Sequence, residues 1–379
     1  MVEIQGYAAP GLEAVKAAFA ANFARTGDYQ EIGASLCVYR QGERLIDLWA
    51  GHADKARTRP WTADTLVNVW STTKLATAVC VALLVDRGLI AYDQPVAEVW
   101  PEFAQAGKAR VTIAQVMSHQ AGLPGFAEAT TLDDLYDWDL VCGRLAAQAL
   151  AFEPGTVNSY HAATYGFLAG EIVRRAGGKT LGVLFRDEIA GPLAADFHIG
   201  LPASEESRVA ELLPPKSPFD FGSAELAPSA VMALSNPEQD PTRPNSRRWR
   251  AAELPALNGQ ASARGVARLA AMLAGGGELD GARVLAERTV AAMSAIACDR
   301  TDLMLGFNPQ WGMGVIHNLI GAYGANPRTF GHSGWGGSFG CADPDAGIAI
   351  GYVVNQMGSE LVGDPRGAGL AAALYEALA

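Results

Sequence analysis

The sequence predicts an α/β protein in which both ends of the chain build one domain and the middle forms another. Strand-like segments lie near the two termini, whereas Ala- and Leu-rich, helix-like segments fill most of residues 75–195. Of the 379 residues, 49% are hydrophobic and 18% are charged, which is typical of a folded chain with a substantial core. We therefore expect an α/β domain from residues 1–75 and 255–379, and a mainly helical domain from residues 76–254.

The first predicted elements are a helix and a β-hairpin. Apolar residues recur at helical spacing in residues 11–25, which favours an amphipathic helix. Two apolar segments, Gly33 to Arg40 and Leu45 to Trp49, flank Gln41-Gly42, a pattern typical of two strands joined by a tight turn.

The middle and the C-terminal end supply the remaining elements. Leu75 to Leu84 is apolar nearly all round, which indicates a buried helix, and Gly88 is suited to end it. Residues 347–355 are predicted to form a strand and residues 370–378 a helix. The Pro-rich region 213–254, which includes an Arg-rich stretch, is interpreted as a solvated loop, with a lid or pocket wall as the alternative.

Composition excludes several classes of function. The net charge of −11 disfavours nonspecific binding to nucleic acid or anionic membrane. No apolar run is long enough to span a bilayer, and the N-terminus does not resemble a secretory signal, so we expect a cytoplasmic protein. The five cysteines are widely spaced and the histidines form no metal-ligand motif, so neither a metal nor another cofactor is expected.

Ser71-Thr-Thr-Lys74 is an S-x-x-K motif at the start of the predicted buried helix. Side chains at i and i+3 share one helix face, and burial lowers the pKa of an ammonium group, which can leave a neutral amine to accept the Ser71 proton. The alternative is structural: Ser71 would cap the helix and Lys74 would extend to solvent.

At this motif the chain resembles the serine β-lactamase and penicillin-binding-protein superfamily, and in particular the class C β-lactamases and the family VIII carboxylesterases. The likeness continues through nearly the whole chain, including residues 118–124, Glu153-Pro-Gly155, residues 166–171 and residues 331–337. It implies a β-lactamase-like fold, with an antiparallel sheet flanked by helices beside a mainly helical domain, and catalytic roles for Ser71 and Lys74.

The resemblance places Tyr160 at the family's second motif, after the Pro-Gly turn. A Tyr160 phenolate near the Lys74 ammonium would have a lowered pKa and could act as general base for Ser71. Tyr165 is the rival tyrosine, and a purely packing role for Tyr160 is the structural alternative. Ala162 stands where the family often has an asparagine that holds the substrate's acylamino group, and His161 is a candidate substrate-binding residue beside it.

The third motif falls at His332-Ser333-Gly334, where the lactamases have Lys-Thr-Gly. The resemblance implies that these three residues and Trp70 bind substrate, and that the backbone N–H groups of Ser71 and Trp335 form the oxyanion hole. Because the lost lysine recognises the carboxylate of β-lactams, its absence favours a neutral ester. A strand-edge histidine without function is the alternative for His332.

Residues 336–340 also match the G-x-S-x-G nucleophile elbow at Ser338. That motif needs a helix after the serine and a later histidine, whereas strand- and turn-like residues follow here and no histidine does. We reject Ser338 as the nucleophile.

These observations predict a serine hydrolase that cleaves short-chain carboxylic esters through an acyl-enzyme, with a small-molecule ester as its partner. The prediction includes weak β-lactam hydrolysis as an accompanying activity. The alternatives are a β-lactamase or D-Ala-D-Ala peptidase-like amidase, which shares the chemistry, and a catalytically inactive relative that serves as a binding module.

Overall fold

The computed structural model describes residues 2–217 and 226–379. In chain order its strands are β1 Gln5–Ala8, β2 Gly33–Arg40, β3 Glu43–Gly51, β4 Val67–Asn68, β5 Phe197–His198, β6 Gln260–Ala261, β7 Glu278–Leu279, β8 Ala282–Arg283, β9 Ile316–His317, β10 Phe330–Ser333, β11 Phe339–Asp343 and β12 Ile348–Val354. Its α-helices are α1 Glu13–Ala24, α2 Thr73–Asp86, α3 Ile113–Met117, α4 Trp138–Ala147, α5 Thr164–Gly177, α6 Leu181–Phe185, α7 Pro228–Ser235, α8 Arg247–Ala251, α9 Ala263–Ala274, α10 Glu287–Ser294 and α11 Pro365–Leu378.

The largest sheet is antiparallel and takes its strands from both ends of the chain. Its seven strands have the order β1-β3-β2-β12-β11-β10-β9, so N-terminal β2 pairs with C-terminal β12 at the centre. This arrangement agrees with the predicted α/β class and antiparallel sheet. The domain boundaries remain a prediction.

Most local predictions near the termini are confirmed. Strand β2 has the predicted bounds, and β3 contains the predicted strand at residues 45–49. Gln41 and Gly42 adopt φ values of +52° and +82°, as a two-residue hairpin turn requires. Helix α11 begins five residues before the predicted residue 370, because Asp364 caps it and Pro365 occupies its first turn.

The large sheet is covered on both faces, which explains why its central strands are apolar throughout. Alternate residues of β2, such as Leu36 and Val38, pack with α1 and α11, whereas Cys37 and Tyr39 pack in the core that contains α2 and α9.

Helix α2 lies inside the protein and carries the S-x-x-K motif at its first turn. Every residue from Thr73 to Leu84 is buried, and Gly88, with φ +66°, follows its C-terminus. A small sheet, β4-β6-β5, lies beside its N-terminus, where the Val69 N–H donates to the Gly259 carbonyl at 2.9 Å. No helix in residues 2–217 and 226–379 is both long and apolar enough to cross a membrane.

Candidate active site

Ser71 lies in a single 3₁₀ turn, Trp70–Thr72, that leads into α2. Trp70 has φ +45°, a conformation that residues with a side chain rarely adopt and that is often found at functional sites. The Thr73 hydroxyl donates to the Trp70 carbonyl and accepts from the Gly259 N–H at 2.8 Å, which fixes the turn. Ser71 therefore stands on a rigid, strained turn and does not cap α2.

The Lys74 amine is completely buried, so the alternative in which it extends to solvent is wrong. Its Nζ lies 3.0 Å from Ser71 Oγ, 2.8 Å from the Ala162 carbonyl and 3.1 Å from the Ala256 carbonyl. Burial holds the pKa of Lys74 well below its usual value, which favours the neutral amine. A neutral amine donates its two hydrogens to the two carbonyls and leaves its lone pair for the Ser71 hydroxyl proton.

The ring of Tyr160 lies beside this pair, with the Lys74 Nζ 4.7 Å from the ring centroid. The Tyr160 N–H donates to the buried carboxylate of Asp302 at 3.0 Å, and the ring stacks on Trp311 with centroids 5.6 Å apart. Tyr165, the rival, has its centroid 5.9 Å from Lys74 and does not line the Ser71 cavity.

The predicted Tyr160 phenolate needs correction. Burial raises the pKa of Tyr160, and the neighbouring Ser71 hydroxyl only partly offsets this effect. The sequence argument assumed an adjacent Lys74 ammonium, but the same burial favours a neutral Lys74. Burial therefore favours a neutral amine and a protonated phenol in the resting site.

Ser71 and Tyr160 open into a cavity of about 290 Å³. Its walls are mostly apolar and include Trp70, Trp335 and Leu257, together with Ala233 and Leu234 from α7. The pocket-wall alternative for region 213–254 thus holds for the part that includes Ala233, Leu234, Glu238 and Gln239, while residues 218–225 lie outside the described residues. Within the Arg-rich stretch, Arg243 pairs with Asp133 and Arg250 with Glu206.

Two residues that line the Ser71 cavity have backbone N–H groups without a protein acceptor. Among the described residues, neither the Ser71 nor the Trp335 N–H donates to a protein acceptor, although the Gly334 and Gly336 N–H groups both do. Trp335 lines the same cavity as Ser71. Backbone N–H groups without a protein acceptor are the donors that an oxyanion needs.

The residues of the third motif face different ways. His332 lies beside Ser71 and Tyr160 in a narrow inner extension of the cavity, and burial lowers its pKa to about 3, so its ring is neutral. Ser333 lies on the other side of β10, where its hydroxyl is 2.9 Å from the Tyr323 hydroxyl. Gly334 packs against the Val69 carbonyl. The predicted contact of Ser333 and Gly334 with substrate is therefore corrected.

His161 also differs from its predicted role. Its Nε2 accepts from the Leu123 N–H at 3.2 Å, and its Nδ1 lies 2.6 Å from the Ser159 carbonyl. Because both ring nitrogens have protein partners and the residue is fully buried, His161 is a packing residue and does not bind substrate.

Ser338 is not a nucleophile elbow. Its hydroxyl donates to the Val69 carbonyl at 2.9 Å, and strand β11 follows it where the elbow requires a helix. No cluster of three or more His, Cys, Asp or Glu side chains that could hold a metal ion occurs among the residues that the structure describes.

Asp302 is the residue of the site that sequence reasoning missed. Its fully buried carboxylate accepts from the Tyr160 N–H, the Trp311 Nε1–H at 3.1 Å and the Met304 N–H at 2.9 Å. It thus holds the backbone at Tyr160, the indole that stacks on the Tyr160 ring, and Met304 of the cavity wall. No motif marks Asp302, because its link to Tyr160 joins segments that are 142 residues apart.

The comparisons with known proteins cover nearly the whole chain. The model of the beta-lactamase family matches residues 17–374. The Mycobacterium tuberculosis protein named esterase/beta-lactamase LipL is 37% identical over 380 residues, which cover 94% of this chain and 84% of that protein.

Two crystal structures are similar over the full length. A family VIII carboxylesterase is 47% identical with a TM-score of 0.93, and the match covers 99% of this chain and 100% of the other. A penicillin-binding protein homolog from Caulobacter crescentus is 43% identical with a TM-score of 0.93, again with 99% and 100% coverage.

Proposed function

The chain belongs to the beta-lactamase family, and from this premise we propose that it is a serine carboxylesterase that cleaves esters of short acyl chains through an acyl-enzyme. One observation carries the proposal. The Ser71 hydroxyl lies 3.0 Å from a fully buried lysine amine whose two other partners are carbonyls, and it opens into a mostly apolar cavity.

Acylation begins at the Ser71 hydroxyl. The neutral Lys74 amine accepts its proton while Oγ attacks the ester carbonyl carbon, so Lys74 becomes an ammonium and the substrate a tetrahedral oxyanion. The N–H groups of Ser71 and Trp335 stabilise that oxyanion, and one such donor typically contributes about 2.7–4 kcal/mol.

Collapse of this intermediate expels the alcohol. The Tyr160 phenol donates its proton to the departing alkoxide, and the Lys74 ammonium returns a proton to Tyr160. Deacylation follows the same route with water in place of the serine hydroxyl. Both groups then regain their resting states, a neutral amine and a protonated phenol.

The cavity favours a small acyl group that carries no negative charge. Its volume of about 290 Å³ suits a compact substrate, and its walls are mainly apolar. The neutral His332 provides no cation for the carboxylate of a β-lactam, and Ala162 provides no amide for an acylamino group. We propose weak β-lactam hydrolysis as a second activity, and the name of the Mycobacterium tuberculosis relative, esterase/beta-lactamase, supports it.

Hydrolysis rates for p-nitrophenyl esters of two to twelve acyl carbons, measured beside nitrocefin, test this function. We expect the highest kcat/KM at short chains, slow turnover of nitrocefin, and loss of both activities in Ser71→Ala. A protein that hydrolyses nitrocefin faster than every ester would contradict the esterase assignment.

A fluorophosphonate probe separates an active enzyme from an inactive binding relative. We expect the probe to label the purified protein at Ser71 and to leave Ser71→Ala unlabelled. The Ser338→Ala variant serves as a control for the second serine motif and should keep the label. A folded protein that takes up no probe would support the binding relative instead.

A further inference from the structure

The lining of the Ser71 cavity includes a charged residue that is exposed to solvent. Glu238, exposed to solvent, is the one residue with a formally charged group among the described residues that line this cavity. No described Lys, Arg or His lies within salt-bridge distance of Glu238. Its carboxylate therefore has no opposing charge from the described part of the chain.

The other described residues that line the cavity carry no positive charge that would attract an anion. Lys74 lies beneath Ser71 with its amine bonded to two carbonyls, and His332 lies in the inner extension with a neutral ring. The net charge of −11 adds a negative field at long range.

Two indole rings also line this cavity. The rings of Trp70 and Trp335 have centroids 5.2 Å apart and planes at 54°. Indole faces attract cations, most strongly where water is excluded. A carboxylate and indole rings in one apolar cavity are a combination that suits an ammonium group.

From this arrangement, and on the basis of the proposed esterase function, we infer that the cavity selects substrates by charge. Glu238 is a specificity-determining residue that favours esters bearing an ammonium group over neutral esters of the same shape, and it disfavours esters bearing a carboxylate. The preferred substrate class is therefore a small ammonium-bearing ester.

The size of the effect follows from the exposure of Glu238. Because solvent and salt screen an exposed charge, we expect a three- to tenfold preference at low ionic strength, decreasing as salt is added.

A matched set of substrates isolates the charge. The p-nitrophenyl esters of 4-(trimethylammonio)butyrate and 5,5-dimethylhexanoate have the same shape and differ by one charge, and p-nitrophenyl hemisuccinate supplies an anion. We expect wild-type kcat/KM to fall in the order cationic, neutral, anionic. Glu238→Gln should reduce the ratio of cationic to neutral rates to about one, and Glu238→Lys should reverse it.

Glu43→Gln removes an exposed carboxylate from the β2–β3 hairpin, away from the cavity, and should leave the ratio unchanged. A ratio that is the same in wild type, Glu238→Gln and Glu238→Lys would overturn the inference.

A binding measurement separates this inference from the proposed function. In Ser71→Ala, tryptophan fluorescence reports the Kd of the cationic and the neutral ester without turnover. Failure of wild type to hydrolyse any ester would refute the proposed function alone. Equal Kd values for the two esters, unaffected by Glu238→Gln, would refute the charge selection alone.

Discussion

At Lys74, burial and hydrogen bonding act together on one amine. The side chain is fully buried, and among the described residues its Nζ has two carbonyls and the Ser71 hydroxyl as partners and no carboxylate. An ammonium without a counter-ion is costly in such a place, so the amine is held neutral and can act as a base.

Replacing Lys74 by arginine tests this role directly. Because guanidinium does not give up its proton near neutral pH, we expect Lys74→Arg to lose at least a thousandfold in kcat. Arginine is larger than the site it would fill, so Lys74→Met provides a neutral variant of similar length. Circular dichroism shows whether each variant is folded, and wild-type-like turnover by either one would remove Lys74 from the mechanism.

The lowered pKa of the Lys74 amine predicts how the esterase rate depends on pH. Lys74 is an ammonium at low pH and a neutral amine above its lowered pKa, so kcat/KM should rise with pH and reach a plateau well below pH 10.5. Burial raises the pKa of Tyr160, so loss of the phenol proton should not reduce the rate at mildly alkaline pH.

The Tyr160→Phe variant tests which residue causes the rise of the rate with pH. We expect kcat to fall by about 10²–10⁴, because the leaving alkoxide loses its acid, while the rising limb due to Lys74 remains. A wild-type rate that keeps rising up to about pH 10.5 would show that the pKa of Lys74 is not lowered. Loss of the rising limb in Tyr160→Phe would place the titration on the phenol.

At the scale of elements, the turn between β10 and β11 positions the Trp335 N–H. The Gly336 carbonyl accepts from Arg366 Nη2 at 2.8 Å and from the Gly358 N–H at 3.0 Å, and the Gly336 N–H donates to the Glu360 carbonyl at 3.0 Å. Arg366 is completely buried at the start of α11. The turn is therefore held by the C-terminal helix and the segment that precedes it.

Gly337→Ala should disturb this turn. Gly337 has φ +120°, and a Cβ there would lie 2.7 Å from Arg366 Nη2 and 2.8 Å from Asp364 Oδ2. We expect a ten- to hundredfold loss in kcat with a smaller change in KM, because the oxyanion donor moves.

Gly321→Ala is the matched control. Gly321 also has a positive φ, +72°, but a Cβ there meets no atom within 4 Å. Gly321→Ala should introduce backbone strain without loss of kcat. An unchanged kcat in a folded Gly337→Ala variant would contradict the prediction, because it would show that the turn accepts the added Cβ without displacing the oxyanion donor.

The elements that the sequence predicted are those with a strong local pattern. Strand β2, its hairpin turn and α2 follow from apolar periodicity, Gln41-Gly42 and Gly88. The proximity of Ser71 to Lys74 follows from helical spacing, whereas Tyr160 required the family resemblance. Asp302, the direction of Ser333 and the packing of His161 depend on contacts between distant segments, which no local pattern reports.

At the scale of the whole molecule, a buried ionic cluster joins the two ends of the chain behind the active-site turn. Arg366 bonds Asp364 at 2.7 and 2.9 Å, and Glu31 at the longer distance of 3.3 Å. Asp364 already balances the guanidinium, so burial dominates at Glu31 and raises its pKa from 4.5 to about 7. The Tyr352 hydroxyl donates to Glu31 Oε1.

This cluster predicts how stability depends on pH. Because the pKa of Glu31 is higher in the folded than in the unfolded chain, its contribution is fully present below about pH 4.5 and is lost as the pH rises through about 7. We expect a loss on the order of 2–3 kcal/mol in the free energy of unfolding between pH 5 and 8. The Glu31→Gln variant, whose amide can donate to Tyr352 and accept from Arg366, should remove this loss of stability between pH 5 and 8. Urea titrations at each pH measure the difference between the two proteins, and parallel curves from pH 5 to 8 would show that Glu31 is already ionised at pH 5.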